Sequence, residues 1–162
     1  MRYRYRLQES DDSTFRVAET RFQHSIDVRA EPAIVWAALT AQDALVAWTP
    51  LIRKVEWHTP PSGVGSCRSV TLGPGLVRLE ERFYRWEEGR RMTFTVDSMS
   101  RPGFTHFAED ITLAPSAVGT AVVWSFAVST ADWLAPGTRF ARPALSGATR
   151  SIVHGLARYV ES

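Results

Sequence analysis

The sequence predicts an α+β fold in which a curved antiparallel sheet wraps a long C-terminal helix, and three observations carry that expectation. From Leu51 to Val128 short apolar-alternating segments follow one another, punctuated by glycine and proline turns, as in a meander of strands. After Val128 the apolar residues change to a spacing of three to five, the stripe of an amphipathic helix. Six tryptophans and eight phenylalanines in 162 residues demand either a dense core or a cavity walled by aromatic surface. The length suits one domain, and 44% hydrophobic against 22% charged residues is an ordinary globular balance.

Taken in order, residues 1–20 are polar and read as an N-terminal arm, with a turn at Asp11-Asp12-Ser13, leaving 21–162 as the folded domain. Arg2, Arg4 and Arg6 read as a solvated leading segment. The first strand is Arg21 to Val28, where Phe22, His24, Ile26 and Val28 share one face. Two short helices follow. Pro32 suits the first turn of one, because its missing N–H has no partner there, and Ile34, Val35, Ala38 and Leu39 form its stripe. Thr40 is positioned to cap the other, which carries Leu45, Val46 and Trp48 and stops at Pro50.

Six strands come next: Leu51 to Trp57, Ser66 to Leu72, Leu76 to Trp86, Met92 to Val96, Thr105 to Leu113 and Thr120 to Val128. Gly73-Pro74-Gly75 reads as a hairpin turn between the second and third of these, not as a phosphate cradle. Phe140, Leu145, Ala148, Ile152, Leu156 and Val160 then mark the helix. Pro143 either starts this helix or kinks an earlier turn of it; from Pro143 to Val160 it is about 27 Å long, enough to span a sheet.

The segments IDVRAEPAIVWAAL, AWTPLI, FYRWEEGRRMTFTV and LAPSAVGTAVVWSFAV, followed by the terminal helix, occur in an order that resembles the START and birch-pollen-allergen (SRPBCC) superfamily, in particular its polyketide cyclase/dehydrase branch. The resemblance runs from about Phe22 to Glu161. It implies a helix-grip fold of seven antiparallel strands round the last helix, with a cavity between them and the short helices sealing one end. It also implies a ligand drawn from lipids, sterols, polyketides or hormones, and in some members aromatic ring closure or dehydration. Trp48, Leu51 and Trp57 flank the helix-to-strand junction, which in this fold borders the pocket mouth.

Strand parity supplies an independent map of the cavity. It turns Arg53 and Trp57, Arg68 and Leu72, Phe83, Phe94, Phe107 and Trp124 toward the interior, and the helix stripe adds Ile152 and Leu156. Glu81 falls among Val77, Leu79 and Phe83, and Glu109 between Phe107 and Ile111; His24 and Arg68 occupy comparable places. An inward carboxylate is costly unless paired, hydrogen-bonded or protonated. Either a bulge turns Glu81 or Glu109 outward, or Arg68 or Arg53 pairs with it, or the group orients or exchanges a proton with a ligand.

A formal charge of +2 with dispersed basic residues gives no nucleic-acid footprint. Cys67 is the only cysteine, which fits a reducing compartment; with neither a signal-like h-region nor a membrane-length apolar run, the cytoplasm is expected and membrane insertion is not. His24, His58, His106 and His154 lie in separate elements, so neither metal nor other cofactor is expected, and nucleophile-elbow, P-loop and dinucleotide fingerprints are missing. Two readings remain, for a monomer or homodimer. One is a non-catalytic binder or carrier of an aromatic, polyketide or lipid-like molecule. The other is a polyketide cyclase or dehydratase, with Glu109, Glu81 or His24 as acid or base and Arg68 steadying an enolate oxygen.

Overall fold

The computed structural model describes residues 4–73 and 77–162. Its strands are β1 (Tyr5–Arg6), β2 (Thr20–Val28), β3 (Ile52–Trp57), β4 (Cys67–Leu72), β5 (Val77–Glu87), β6 (Arg91–Met99), β7 (Phe104–Ser116) and β8 (Gly119–Thr130). Its helices are α1 (Thr14–Val17), α2 (Pro32–Thr40) and α3 (Ala135–Val160). Pro74 and Gly75 of the expected hairpin turn, together with Leu76 and Arg2, lie outside the described residues.

Seven strands form one curled antiparallel sheet in the order β2-β8-β7-β6-β5-β4-β3, the α+β helix-grip arrangement expected from the sequence. β2 joins β8 in unbroken register from Thr20↔Val128 to Val28↔Thr120. The chain then crosses to the opposite edge of the sheet through α2 and the turns that follow it, and β3 to β8 return strand by strand. Alternation puts Val122, Trp124, Phe126 and Val128 on the concave face of β8, and Met92, Phe94 and Val96 on that of β6.

Among the described residues four bulges adjust this pattern, one of them at Tyr84 on β5, and the other three bear on the cavity. On β6 Asp97 is the extra residue opposite Glu80–Glu81, so Met99 returns to the face of Val96. On β7 Thr105 is the extra residue, which turns Phe104 inward beside Phe107. On β3 the register shifts between Ile52 and Lys54. Ile52 is buried while Arg53 and Lys54 are both exposed, so simple parity misplaces Arg53: it stands outside, not in the cavity.

The second of the paired helices takes the form of hydrogen-bonded turns. Ala44 N donates to Ala41 O, Ala47 N to Asp43 O, and Trp48 N and Thr49 N to Leu45 O, and Leu45 has φ 72°, a left-handed conformation that stops a regular helix. Thr40 does not cap it; its hydroxyl donates back to Trp36 O inside α2. The turns rest on α3 at Gly155, where a Cβ would come within 2.7 Å of Trp48 O, and the Trp48 indole donates to Ile152 O at 3.2 Å.

α3 is longer than the sequence suggested. It begins at Ala135, eight residues before Pro143, and its 26 residues span about 39 Å. Pro143 lies inside it, leaving the Arg139 carbonyl without its usual N–H donor. The early start also rotates the inward face: Phe140, placed on the apolar stripe by spacing, is 91% exposed, while Gly137, Thr138 and Ala141 face the sheet.

The leading arm is tied into the sheet by its backbone. β6 and β7 pair only from Arg91↔Thr112 to Thr95↔Ala108 and then part. β1 enters the gap, with Tyr5 opposite Met99 and Arg6 opposite Ser98; Leu7 N donates to Asp97 O and Gln8 N to Thr105 O. Leu7 packs with Leu79, Val96, Met99, Phe104 and Phe107, while the Arg4 and Arg6 side chains stay exposed.

Candidate functional site: a cavity between sheet and helix

A cavity of about 760 Å³ lies between the concave sheet and α3 as far as Ile152. The sheet contributes Ile52, Val70, Leu72, Val77, Leu79, Met99, Phe104, Phe107, Trp124, Phe126 and Val128; the turns after α2 add Leu45 and Leu51. The helix contributes Leu134, Gly137, Thr138, Ala141, Leu145, Ala148, Thr149 and Ile152. The cavity exists because this helix face is paved with small side chains. Where it bears Val153 and Leu156 instead, the same interface closes into solid core with Trp36, Leu39, Trp48, Phe83 and Phe94. Exposed Arg101, Pro102 and Trp133 rim the cavity, and Gly103, at φ 98°, admits Leu134 and Trp133, which a Cβ would meet at 2.7 and 2.8 Å.

Leu51, Leu72, Phe107, Trp124 and Ile152 of the sequence-predicted ligand set therefore line the cavity. Trp48, Trp57, Phe83, Phe94 and Leu156 do not, and each has another task. Trp48 and Leu156 belong to the α3 core. Trp57 donates its indole N–H to Ala41 O at 3.1 Å and stacks on Phe83 at 5.7 Å. Phe83 and Phe94 are fully buried beneath Arg68. Sequence reasoning missed Phe104, Trp133, Leu134, Thr138 and Thr149. Thr138 was missed by starting α3 at Pro143, for which Pro136 in the first turn was the available signal, and Thr149 because a polar residue falls off an apolar stripe. Phe104 was hidden by the Thr105 bulge.

Both inward carboxylates remain on the cavity side. Glu81 and Glu109 line it, whereas Asp110, next in sequence, points outward to Arg91 at 2.9 Å and Thr93 at 2.6 Å. No bulge expels either glutamate. Arg68 is 3% exposed and donates through Nε to Glu81 Oε2 at 2.6 Å. Its guanidinium lies over the rings of Trp57 and Phe83, both at 5.1 Å, and Phe94 at 5.3 Å. Arg68 is thus stored behind an aromatic layer and does not line the cavity.

Glu109 accepts the Trp124 indole N–H at 3.0 Å. Burial, reinforced by the charge of Glu81, pushes its carboxyl up to about 8, and the opposing pull of Trp124 and Arg68 is too weak to offset this. Burial also raises Glu81, with the Arg68 guanidinium working in the other direction. Two carboxyls thus share one nearby cation, which disfavours both being ionised at once. What results is a neutral carboxylic acid held by one oxygen in an apolar wall, able to donate or take up a proton near pH 7.

His24 stands apart from this cluster. Its Nε2 lies 2.8 Å from Thr149 Oγ1, and its ring packs edge-on against Phe126 at 6.1 Å. Burial, then Arg150 and His154, lower its pKa. It does not line the cavity, because the helix covers it. Among the described residues no three His, Cys, Asp or Glu side chains converge as a metal site requires.

A family model described as polyketide cyclase / dehydrase and lipid transport matches residues 19–161. Among solved structures, the Thermus thermophilus protein TTHA0849 superposes with a TM-score of 0.69 at 16% identity, covering 87% of this chain and 95% of its own. Ara h 8.0201 gives 0.64 at 14% identity, with 86% and 96% covered. A point mutant of Thalictrum norcoclaurine synthase, in complex with a transition-state analogue, gives 0.63 at 15%, with 87% and 93% covered. At these identities the likeness is one of fold. No match was found among curated proteins.

Proposed function

Since the chain belongs to the polyketide cyclase / dehydrase and lipid transport family, within the START and birch-pollen-allergen superfamily, we propose that it binds a hydrophobic small molecule in its internal cavity as a non-catalytic binder or carrier. The observation that carries this reading is the cavity itself. Its volume of about 760 Å³ is within the range of small-molecule sites, and its wall is almost wholly aliphatic and aromatic. The ligand class this supports is aromatic, polyketide or lipid-like. Native mass spectrometry on freshly purified protein tests it, with a hydrophobic fluorophore titrated into the emptied protein. Retained small-molecule mass, or saturable binding that quenches Trp124, is expected; neither occurring would remove the reading. The cytoplasm is the proposed site of action, on the strength of the lone Cys67; among the described residues no helix is long and apolar enough to cross a membrane.

One observation favours a catalytic alternative, a cyclase or dehydratase acting on a poly-β-ketone. Glu109 is an acid poised near pH 8 inside the cavity, where a general acid is effective. The cavity would hold the flexible chain in one folded mode, and Glu109 would give a proton to the departing hydroxyl or take one from the nucleophilic carbon. Arg68 could not steady an enolate directly, because it is sealed behind Phe83 and Phe94 and bound to Glu81; it would act only through that carboxyl. Glu109→Gln separates the readings. With a poly-β-ketone substrate an enzyme loses turnover in this variant, whereas a carrier turns nothing over in either form.

A further inference from the structure

The polar groups of the cavity are unequal in sign. Below its rim the ionisable groups that line it, among the described residues, are Glu81 and Glu109; the other polar side chains are the hydroxyls of Thr138 and Thr149. The cation beside the two carboxylates, Arg68, is shielded by three rings and occupied by Glu81. Arg101 stands at the exposed rim. With both glutamates ionised, the cluster therefore lacks one positive charge, and a guest inside the cavity is placed to supply it.

The wall beside Glu109 is also suited to a cation. The Trp124 indole that holds the Glu109 carboxylate stacks parallel to Phe126 at 5.7 Å, and both rings line the cavity with Phe107. A carboxylate bordered by aromatic faces attracts an ammonium twice over, by charge and by the ring quadrupole. An anionic guest would instead stand beside two carboxyls in a medium of low dielectric, where like charges repel strongly.

We infer that the cavity selects an apolar molecule carrying one basic nitrogen, seated as an ammonium between Glu109 and the Trp124–Phe126 wall. This rests on the small-molecule reading above and specifies the charge of its ligand. In the empty protein a proton on Glu109 takes the place of the ligand's charge; on binding, that proton leaves to solvent and the ammonium replaces it. A neutral guest can only accept or donate a hydrogen bond there, a weaker contact than a charge-assisted one.

Three probes of one skeleton test it by titration calorimetry at pH 7: 1-naphthylmethylamine, 1-naphthylmethanol and 1-naphthoate. The amine should bind about tenfold or more tighter than the alcohol, and the carboxylate weakest of the three. Glu109→Gln should erase the preference for the amine while leaving alcohol binding within about threefold. Repeating the amine titration in buffers of different ionisation enthalpy should show about one proton released per ligand, a wild-type readout that decides the matter even if the variant does not fold. Should the alcohol match the amine, or the carboxylate bind tightest through Arg101, or no proton be released, the inference is overturned while the cavity remains a small-molecule site. Should none of the three bind, the small-molecule reading falls and this inference with it.

Discussion

Glu109 shows how far one residue's neighbours can move its chemistry. Its folded-state carboxyl lies near 8 against an ordinary 4.5, so the folded protein keeps a proton that the unfolded chain has lost over that interval. The corresponding stability is fully present below about 4.5 and is lost as the pH climbs through 8, with a limiting slope of about 1.4 kcal/mol per pH unit for one proton. Urea midpoints from pH 5 to 8 should fall in the wild type and flatten in Glu109→Gln; parallel slopes would mean that the proton resides elsewhere. Gly155 is a second residue whose role is set by its neighbour. Alanine there gains helix propensity of up to about 1 kcal/mol, but its Cβ would stand 2.7 Å from the Trp48 carbonyl, and displacing that backbone costs about 1–3 kcal/mol. Gly155→Ala should therefore lower the denaturation midpoint, despite improving the isolated helix.

Element by element, period proved more legible than exception. Strand alternation correctly turned Glu81, Glu109, Phe107 and Trp124 to the concave side, because a half-buried strand must obey its period of two. It failed at Arg53, where one extra residue reverses the parity, and at Phe104, where another restores it; bulges leave no local mark in sequence. The helix was legible from Leu145 onward. Ahead of Pro143 only Phe140 marked it, and on the outer face, because glycine, threonine and alanine on its inner face look like a loop when read by hydrophobicity alone. Those small residues are what create the cavity, so enlarging one should fill it. Ala148→Phe should abolish fluorophore binding with little loss of stability, and unchanged binding would place the ligand elsewhere. Further along α3, Leu156→Asp should cost several kcal/mol as an unpaired buried charge, whereas the exposed Arg158→Asp should be nearly silent. Equal midpoints in a denaturant melt would overturn that division of the helix.

At the scale of the whole molecule, helix-grip topology leaves β2 and β3 as the two sheet edges and gives α3 the task of covering the concave face. The aromatic surplus and the order of elements announced that much, but not the seam at which β6 and β7 separate. That seam has a consequence for the order in which the protein assembles. The bond from Ser10 N to Thr95 Oγ1 links positions 85 residues apart, and closing so long a loop is entropically expensive until both banks of the gap exist. On this ground the arm should dock after the β5–β8 hairpins and be the first segment to leave. In hydrogen exchange, the amides of Leu7 and Gln8 should open at lower free energy than those of the β7–β8 ladder; equal protection would mean that arm and sheet open together. Because Leu7 packs on Leu79, Met99, Phe104 and Phe107, all of them cavity walls, an arm that docks last would leave the vessel already shaped but still unstitched along one side. A guest present during folding can be enclosed through that side, whereas one arriving later must enter past Arg101 and Trp133. Refolding in the presence of a fluorophore should thus load the protein faster than soaking the finished fold.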